Sequence, residues 1–180
     1  LKKLTPGQYA KLALAVILLI YGIVLSASPG TYRFLDRVDL IFHEAGHIVF
    51  MPFGSFITIL GGTLMQLIMP AAFVVYFFLR RSLYSASVVL FWLGQSFYNV
   101  SVYAADARTR ALPLITGDKS THDWFNLLSQ LGWLGHDRAV GGFFYVLGAV
   151  CLLASAAGAF YFSFRGELPP AWLKKKETQA

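Results

Sequence analysis

His43 and His47 are four residues apart in His43-Glu44-Ala45-Gly46-His47, a stretch that reads H-E-x-x-H. On a helix this spacing brings both imidazoles to one face, one turn apart, so the two rings can reach a single metal ion. Glu44 lies beside them, where a carboxylate can take a proton from water activated by the metal. The flanks are oily. Leu40, Ile41 and Phe42 precede the motif, and Ile48, Val49, Phe50, Met51, Pro52 and Phe53 follow it. Three ionisable groups in one apolar turn are costly in lipid and need a purpose.

A catalytic zinc takes three protein ligands and keeps one position for water. The motif supplies two. The sequence offers His122, Asp123, His136, Asp118 and Asp106 for the third. His122-Asp123 is the first choice, because two ligand types stand together at a helix start. Asp123 is the preferred ligand and His122 its close competitor. One of the pair can instead orient a ligand from behind. The competing reading is a loop histidine beside an aspartate that caps the helix. His136 beside Asp137 reads more simply as a solvated interfacial pair. Gln95 and Asn99 share a helix face and are candidate donors to a developing oxyanion, or else hydrogen-bond partners between helices.

The elements that must position these groups are membrane elements. The chain has 180 residues, 57% hydrophobic and 13% charged, with a mean hydropathy of +0.59. Soluble domains carry about 25% charged residues, so a bilayer must solvate much of this surface. The expected fold is all-α, a single polytopic helix bundle embedded in lipid. The net charge of +6 does not point to nucleic acid, because the cations sit at segment ends, where they meet headgroups. Cys151 is the sole cysteine, which rules out a disulfide within the chain and a thiolate zinc site.

Four spans are expected, at about residues 9–27, 56–79, 87–105 and 139–164. The first has features of a cleavable signal peptide, with Ser26-Ala27-Ser28 before Pro29. Its apolar run is longer than the roughly 7–15 residues of such peptides, and it is taken as a retained helix. The motif helix is expected over about 34–51, started by Asp36 or Asp39 and ended by Pro52 and Gly54. It is short for a crossing and reads as a buried or re-entrant helix. Residues 106–138 are polar, with a short amphipathic interfacial helix over about 123–134. Arg108 and Arg110 read as solvated or headgroup-facing. The distribution of Lys and Arg places both chain ends in the cytoplasm, with the basic Lys174-Lys175-Lys176 tail among the inward cations.

An HEAGH motif inside a hydrophobic segment of a small multi-span protein resembles the site-2 protease family of intramembrane zinc metalloproteases. The resemblance covers the motif helix and its setting. It implies that His43 and His47 bind zinc and that Glu44 is the base. In that family a later aspartate, in an Asn-Pro-Asp-Gly or Leu-Asp-Gly type motif, completes the site. Neither motif occurs here, so Asp123, in His-Asp-Trp, is chosen by chemistry and not by motif.

The expected function is therefore zinc-dependent hydrolysis of peptide bonds in membrane proteins, with lipid and a membrane-protein substrate as partners. The alternative is a non-catalytic metal-binding or structural subunit of a larger membrane complex. A closed four-ligand site, or none, would favour that alternative. A metal carrier is a weaker third reading, since no second site or path stands out.

Overall fold

A computed structural model describes residues 3–165, so the basic tail at Lys174-Lys175-Lys176 lies outside the described residues. Among the described residues the architecture is all-helical. They form six α-helices: α1 (Pro6–Ala27), α2 (Phe34–Phe50), α3 (Ser55–Leu79), α4 (Leu83–Ala105), α5 (Asp123–Gln130) and α6 (Asp137–Phe164). Three helical segments of the described residues are long and apolar enough to cross a membrane, namely Pro6–Ala27, Ser55–Leu79 and Leu134–Phe164. The third of these includes α6. α4 has the length, at 23 residues, but its Gln95, Ser96, Asn99 and Ser101 keep it out of that set.

Local sequence explains most of the boundaries. α1 begins earlier than residue 9 because Thr5 and Gln8 form a reciprocal capping box and Pro6 occupies the first turn. α2 starts with the Asp36 carboxylate accepting the Arg33 amide at 2.6 Å, which satisfies an otherwise orphan donor. It stops in a 3-10 turn over Met51–Phe53. Gly54 then takes a φ of +92°, a conformation that favours glycine. α4 starts at Leu83, ahead of the expected 87, and α6 at Asp137, ahead of 139. The interfacial helix expected over 123–134 ends at Gln130, because Gly132 turns the chain with a φ of +68°.

α4 is the spine. It packs against α1, α2, α3 and α6. Its contact with α6 runs along small residues spaced seven apart on both helices: Ser87, Gly94 and Ser101 face Ser155, Gly148 and Gly141. A Cβ on Gly148 would lie 2.6 Å from Tyr98 and 2.9 Å from the Gly94 carbonyl; one on Gly141 would lie 2.7 Å from the Ser101 carbonyl. Ser155 donates to the Ser87 carbonyl at 2.7 Å. Small residues let the two backbones approach closely. At one end of this seam, Arg108 Nε donates to Asp137 at 2.8 Å, so Arg108 is an interhelical tie and not simply solvated. Arg110 lies over the Phe125 ring, 4.2 Å from its centroid.

Around the seam, Trp124, Leu127 and Leu128 of α5 bury against Val100 and Ala104 of α4. This core holds α5 against the bundle and thereby fixes where Asp123 can be. Gly148→Ala should lower the thermal midpoint of the detergent-solubilised protein, the overpacking costing about 1–3 kcal/mol. Gly142→Ala, whose Cβ would meet nothing within 4 Å, should leave it unchanged.

Candidate metal centre

Both motif histidines face inward from α2. Their ring centroids are 4.9 Å apart and the planes are steeply inclined, at 76°. His43 Nε2 lies 2.7 Å from Asp123 Oδ2, and His47 Nε2 lies 3.3 Å from the same oxygen. Among the described residues, these three side chains form a group whose ligand atoms all fall within 4.8 Å of one another. His43 and Asp123 are buried, at 7% and 8% exposure.

Two glycine contacts allow this. Gly46, inside the motif, packs backbone to backbone on Gly61 of α3, and a Cβ there would collide with the Gly61 carbonyl. Gly62 is tighter still in its consequence. A Cβ on Gly62 would sit 2.6 Å from His43 Nε2 and 2.7 Å from His47 Nε2. The space beside both ligand nitrogens exists because residue 62 has no side chain.

The outer nitrogens are held from behind. His47 Nδ1 faces the Thr58 carbonyl at 2.9 Å. A carbonyl only accepts, so Nδ1 carries a proton, and a ring with no other proton presents a bare Nε2. A lone pair aimed at the Asp123 carboxylate needs a positive charge on or between the groups. A second proton on the ring or a divalent cation supplies it. The two imidazoles and one carboxylate are an N/O donor set suited to zinc, and the same triad also serves non-haem iron. The residues thus fit a metal ion.

Asp123 arrives from the polar region between α4 and α6. The competing reading, in which Asp123 only caps the helix, does not fit: His122 is the cap, its Nδ1 accepting the Phe125 amide at 3.2 Å. With the cap position taken by its neighbour, Asp123 stands one residue into α5 and its carboxylate is free for the site. Its own amide donates to the Tyr103 hydroxyl at 3.0 Å.

His122 as a metal ligand is likewise corrected. It is fully buried at 0% exposure, its Nδ1 is used by the cap, and its Nε2 faces Asp106 Oδ2 at 3.5 Å, away from the motif histidines. Burial lowers the His122 pKa, against the pull of Asp106. Asp106 accepts the amides of Ala111 and Leu112 at 3.0 and 2.9 Å, and the Thr109 hydroxyl. Burial alone would raise its carboxyl, but these bonds hold it below the ordinary range. Asp106 therefore pins the loop after α4. Asp118 is exposed and caps its own short turn through Ser120. His136 is exposed on the far side of α5 in sequence and does not join the group.

Glu44 borders the same cavity of about 910 Å³ as His43, His47 and Asp123. It is exposed to that space and makes no side-chain hydrogen bond among the described residues. Leu112, Pro113, Leu114 and Ile115 of the loop that Asp106 anchors form part of the cavity lining.

Gln95 and Asn99, candidate oxyanion donors in the sequence, both donate to Asp36 instead, at 2.7 and 3.0 Å. They are interhelical partners within the bundle. Sequence reasoning did not assign site roles to Thr58, Gly62, Gln66 or Tyr103. The available signals were the Gly61-Gly62 pair and a lone glutamine one turn beyond it on an apolar helix.

No protein-family model, curated protein or solved structure matches this chain.

Metal content separates these assignments. Purified wild-type protein should carry one zinc or cobalt ion after loading, and His43→Ala, His47→Ala and Asp123→Ala should each lose it. His136→Ala and Asp118→Ala should retain it. Gly62→Ala should bind metal at least tenfold more weakly with unchanged helicity, as measured by titration and circular dichroism.

Proposed function

We propose that this protein is an intramembrane, zinc-dependent metallopeptidase that hydrolyses peptide bonds of membrane proteins. The observation that carries the reading is the convergence of His43, His47 and Asp123 at one point, with Glu44 facing the same cavity unpaired. Three protein donors with an acid beside an open space suit a catalytic centre. A structural site would be closed by a fourth, and His122 lies outside the group, with its Nε2 3.5 Å from Asp106.

A bound zinc ion would polarise the substrate carbonyl and bring the pKa of a coordinated water to about 7. The chain's own residues do the rest. His43, His47 and Asp123 fix the position of the charge. Glu44 accepts a proton as water adds to the carbonyl carbon, then passes it to the nitrogen as the C–N bond breaks. A substrate helix hides its peptide bonds in its own hydrogen bonds, so it must unwind before one can reach Glu44.

The membrane setting follows the same reading. α4 crosses the bilayer as a fourth span, its polar groups turned onto α2 and not onto lipid: Gln95 and Asn99 bond Asp36, and Ser96 and Trp92 bond Asp39 at 3.0 and 2.7 Å. α2 dips into the membrane without crossing, and both chain ends face the cytoplasm.

Glu44→Gln provides the test. With a glycine-containing transmembrane peptide in detergent micelles as substrate, the variant should keep its zinc and lose cleavage by about 10²–10⁴-fold. Cleavage at the wild-type rate in Glu44→Gln would remove Glu44 from the mechanism, and zinc-loaded wild type that cleaves no such peptide would favour the non-catalytic reading.

A further inference from the structure

Behind His43 runs a chain of side-chain amides that ends on a buried carboxylate. His43 Nδ1 and Gln66 Oε1 are 3.2 Å apart; Gln66 Nε2 donates to Asn99 Oδ1 at 2.8 Å; Asn99 Nδ2 donates to Asp36 Oδ1 at 3.0 Å. It joins α2 to α3, α3 to α4, and α4 back to α2. Asp36 is 6% exposed and Gln66 2% exposed, so water offers them little alternative.

An amide has a donating end and an accepting end, and by itself either can face either neighbour. A run of two amides therefore has two directions. In one, His43 Nδ1 must carry the proton. In the other it must be bare, and the proton moves to Nε2, where it would block a metal. Something at the end of the run must choose. Asp36 is the carboxylate at that end; the buried Asp39 carboxylate, which Gln66 also approaches, acts in the same direction. The two oxygens of Asp36 receive N–H donors from three sources: the Arg33 amide at 2.6 Å, Gln95 Nε2 at 2.7 Å and Asn99 Nδ2 at 3.0 Å. An ionised carboxylate can only accept. Asn99 must then turn its NH₂ to Asp36 and its oxygen to Gln66. Gln66 must turn its NH₂ to Asn99 and its oxygen to His43.

We infer that Asp36 is a positioning residue for the metal centre: its carboxylate orients the Asn99 and Gln66 amides and so keeps the His43 proton on Nδ1 and the Nε2 lone pair toward Asp123. This rests on the metal-centre reading for its purpose, but the direction of the amide chain stands on the hydrogen bonds alone. The arrangement matches that of His47, whose Nδ1 proton is fixed by a backbone carbonyl. One ligand is set by the main chain and the other by a charge two side chains away. Histidine ligands commonly need such an acceptor on the far nitrogen, and its loss typically weakens metal binding by about 10–100-fold.

The test reads the tautomer and the metal separately. The tautomer is read in full-length protein labelled with ¹⁵N-histidine, metal-free and at a pH where the ring is neutral, carrying Asp123→Ala so that the carboxylate 2.7 Å from Nε2 does not compete for the proton, with resonances assigned through His43→Ala. In that background His43 should be protonated on Nδ1, and adding Asp36→Asn should give a mixture of both tautomers. Zinc affinity is read with Asp123 in place: Asp36→Asn should lower it about 10–100-fold, and Asp36→Asn/Gln66→Glu, which moves the carboxylate along the chain to His43 itself, should recover most of it. His43 protonated on Nε2 in the Asp123→Ala background would overturn the inference. So would Asp36→Asn with an unchanged tautomer and unchanged zinc affinity. The Nδ1 tautomer in the Asp123→Ala background with no zinc binding by wild type would keep the amide chain and defeat the metal reading instead.

Discussion

The centre depends on how closely α2 can approach α3. Two imidazoles on one helical turn are a common accident of sequence. Here they are pressed against a neighbouring backbone, because Gly46 meets Gly61 without side chains and Gly62 leaves a gap between the rings. That contact sets the distance from Gln66 and Thr58 to the outer ring nitrogens. It also leaves one direction open, toward α5. Membrane helices are suited to this kind of approach, since small residues exchange side-chain volume for backbone proximity.

The open direction is filled by a group from far along the chain. Asp123 reaches the histidines across a sequence separation of 80 residues from His43. Its placement is a product of several modest interactions. His122 caps α5 in its stead, Tyr103 receives its amide, Asp106 pins the preceding loop, and Trp124 and Leu127 seat the helix on α4. None of these groups is a ligand. Together they deliver one carboxylate oxygen to within hydrogen-bond reach of a histidine.

α4 shows how an apolar bundle carries polar function. Its glutamine, asparagine, serine and tryptophan donors converge on Asp36 and Asp39, both buried at 6% and 0% exposure. Unpaired buried polar groups are expensive, and pairing them across α2 and α4 lowers that cost, with Asp39 Oδ2 and Gln95 Oε1 left without a hydrogen-bond partner among the described residues, and ties the motif helix to the spine. The opposite face of α4 is fastened to α6 by the seven-residue repeat of small side chains. One helix thus serves as packing spine on one side and as polar scaffold on the other.

The sequence by itself determined a good deal. The HExxH spacing put His43 and His47 on one helical face with Glu44 beside them, because residues four apart on a 3.6-residue period lie one turn above each other. Hydropathy marked the long apolar helices, and Pro52-Phe53-Gly54 marked the end of the motif helix. Chemistry also narrowed the third donor to a short list headed by Asp123. Only the tertiary structure decided between Asp123 and His122, since adjacent residues at a helix start point in different directions and which one becomes the cap depends on what the loop packs against. It also decided that Asp36, Gln66 and Asn99 form one directed chain. Their spacings along the sequence carry no trace of that, because hydrogen bonds between helices are set by packing geometry and not by period.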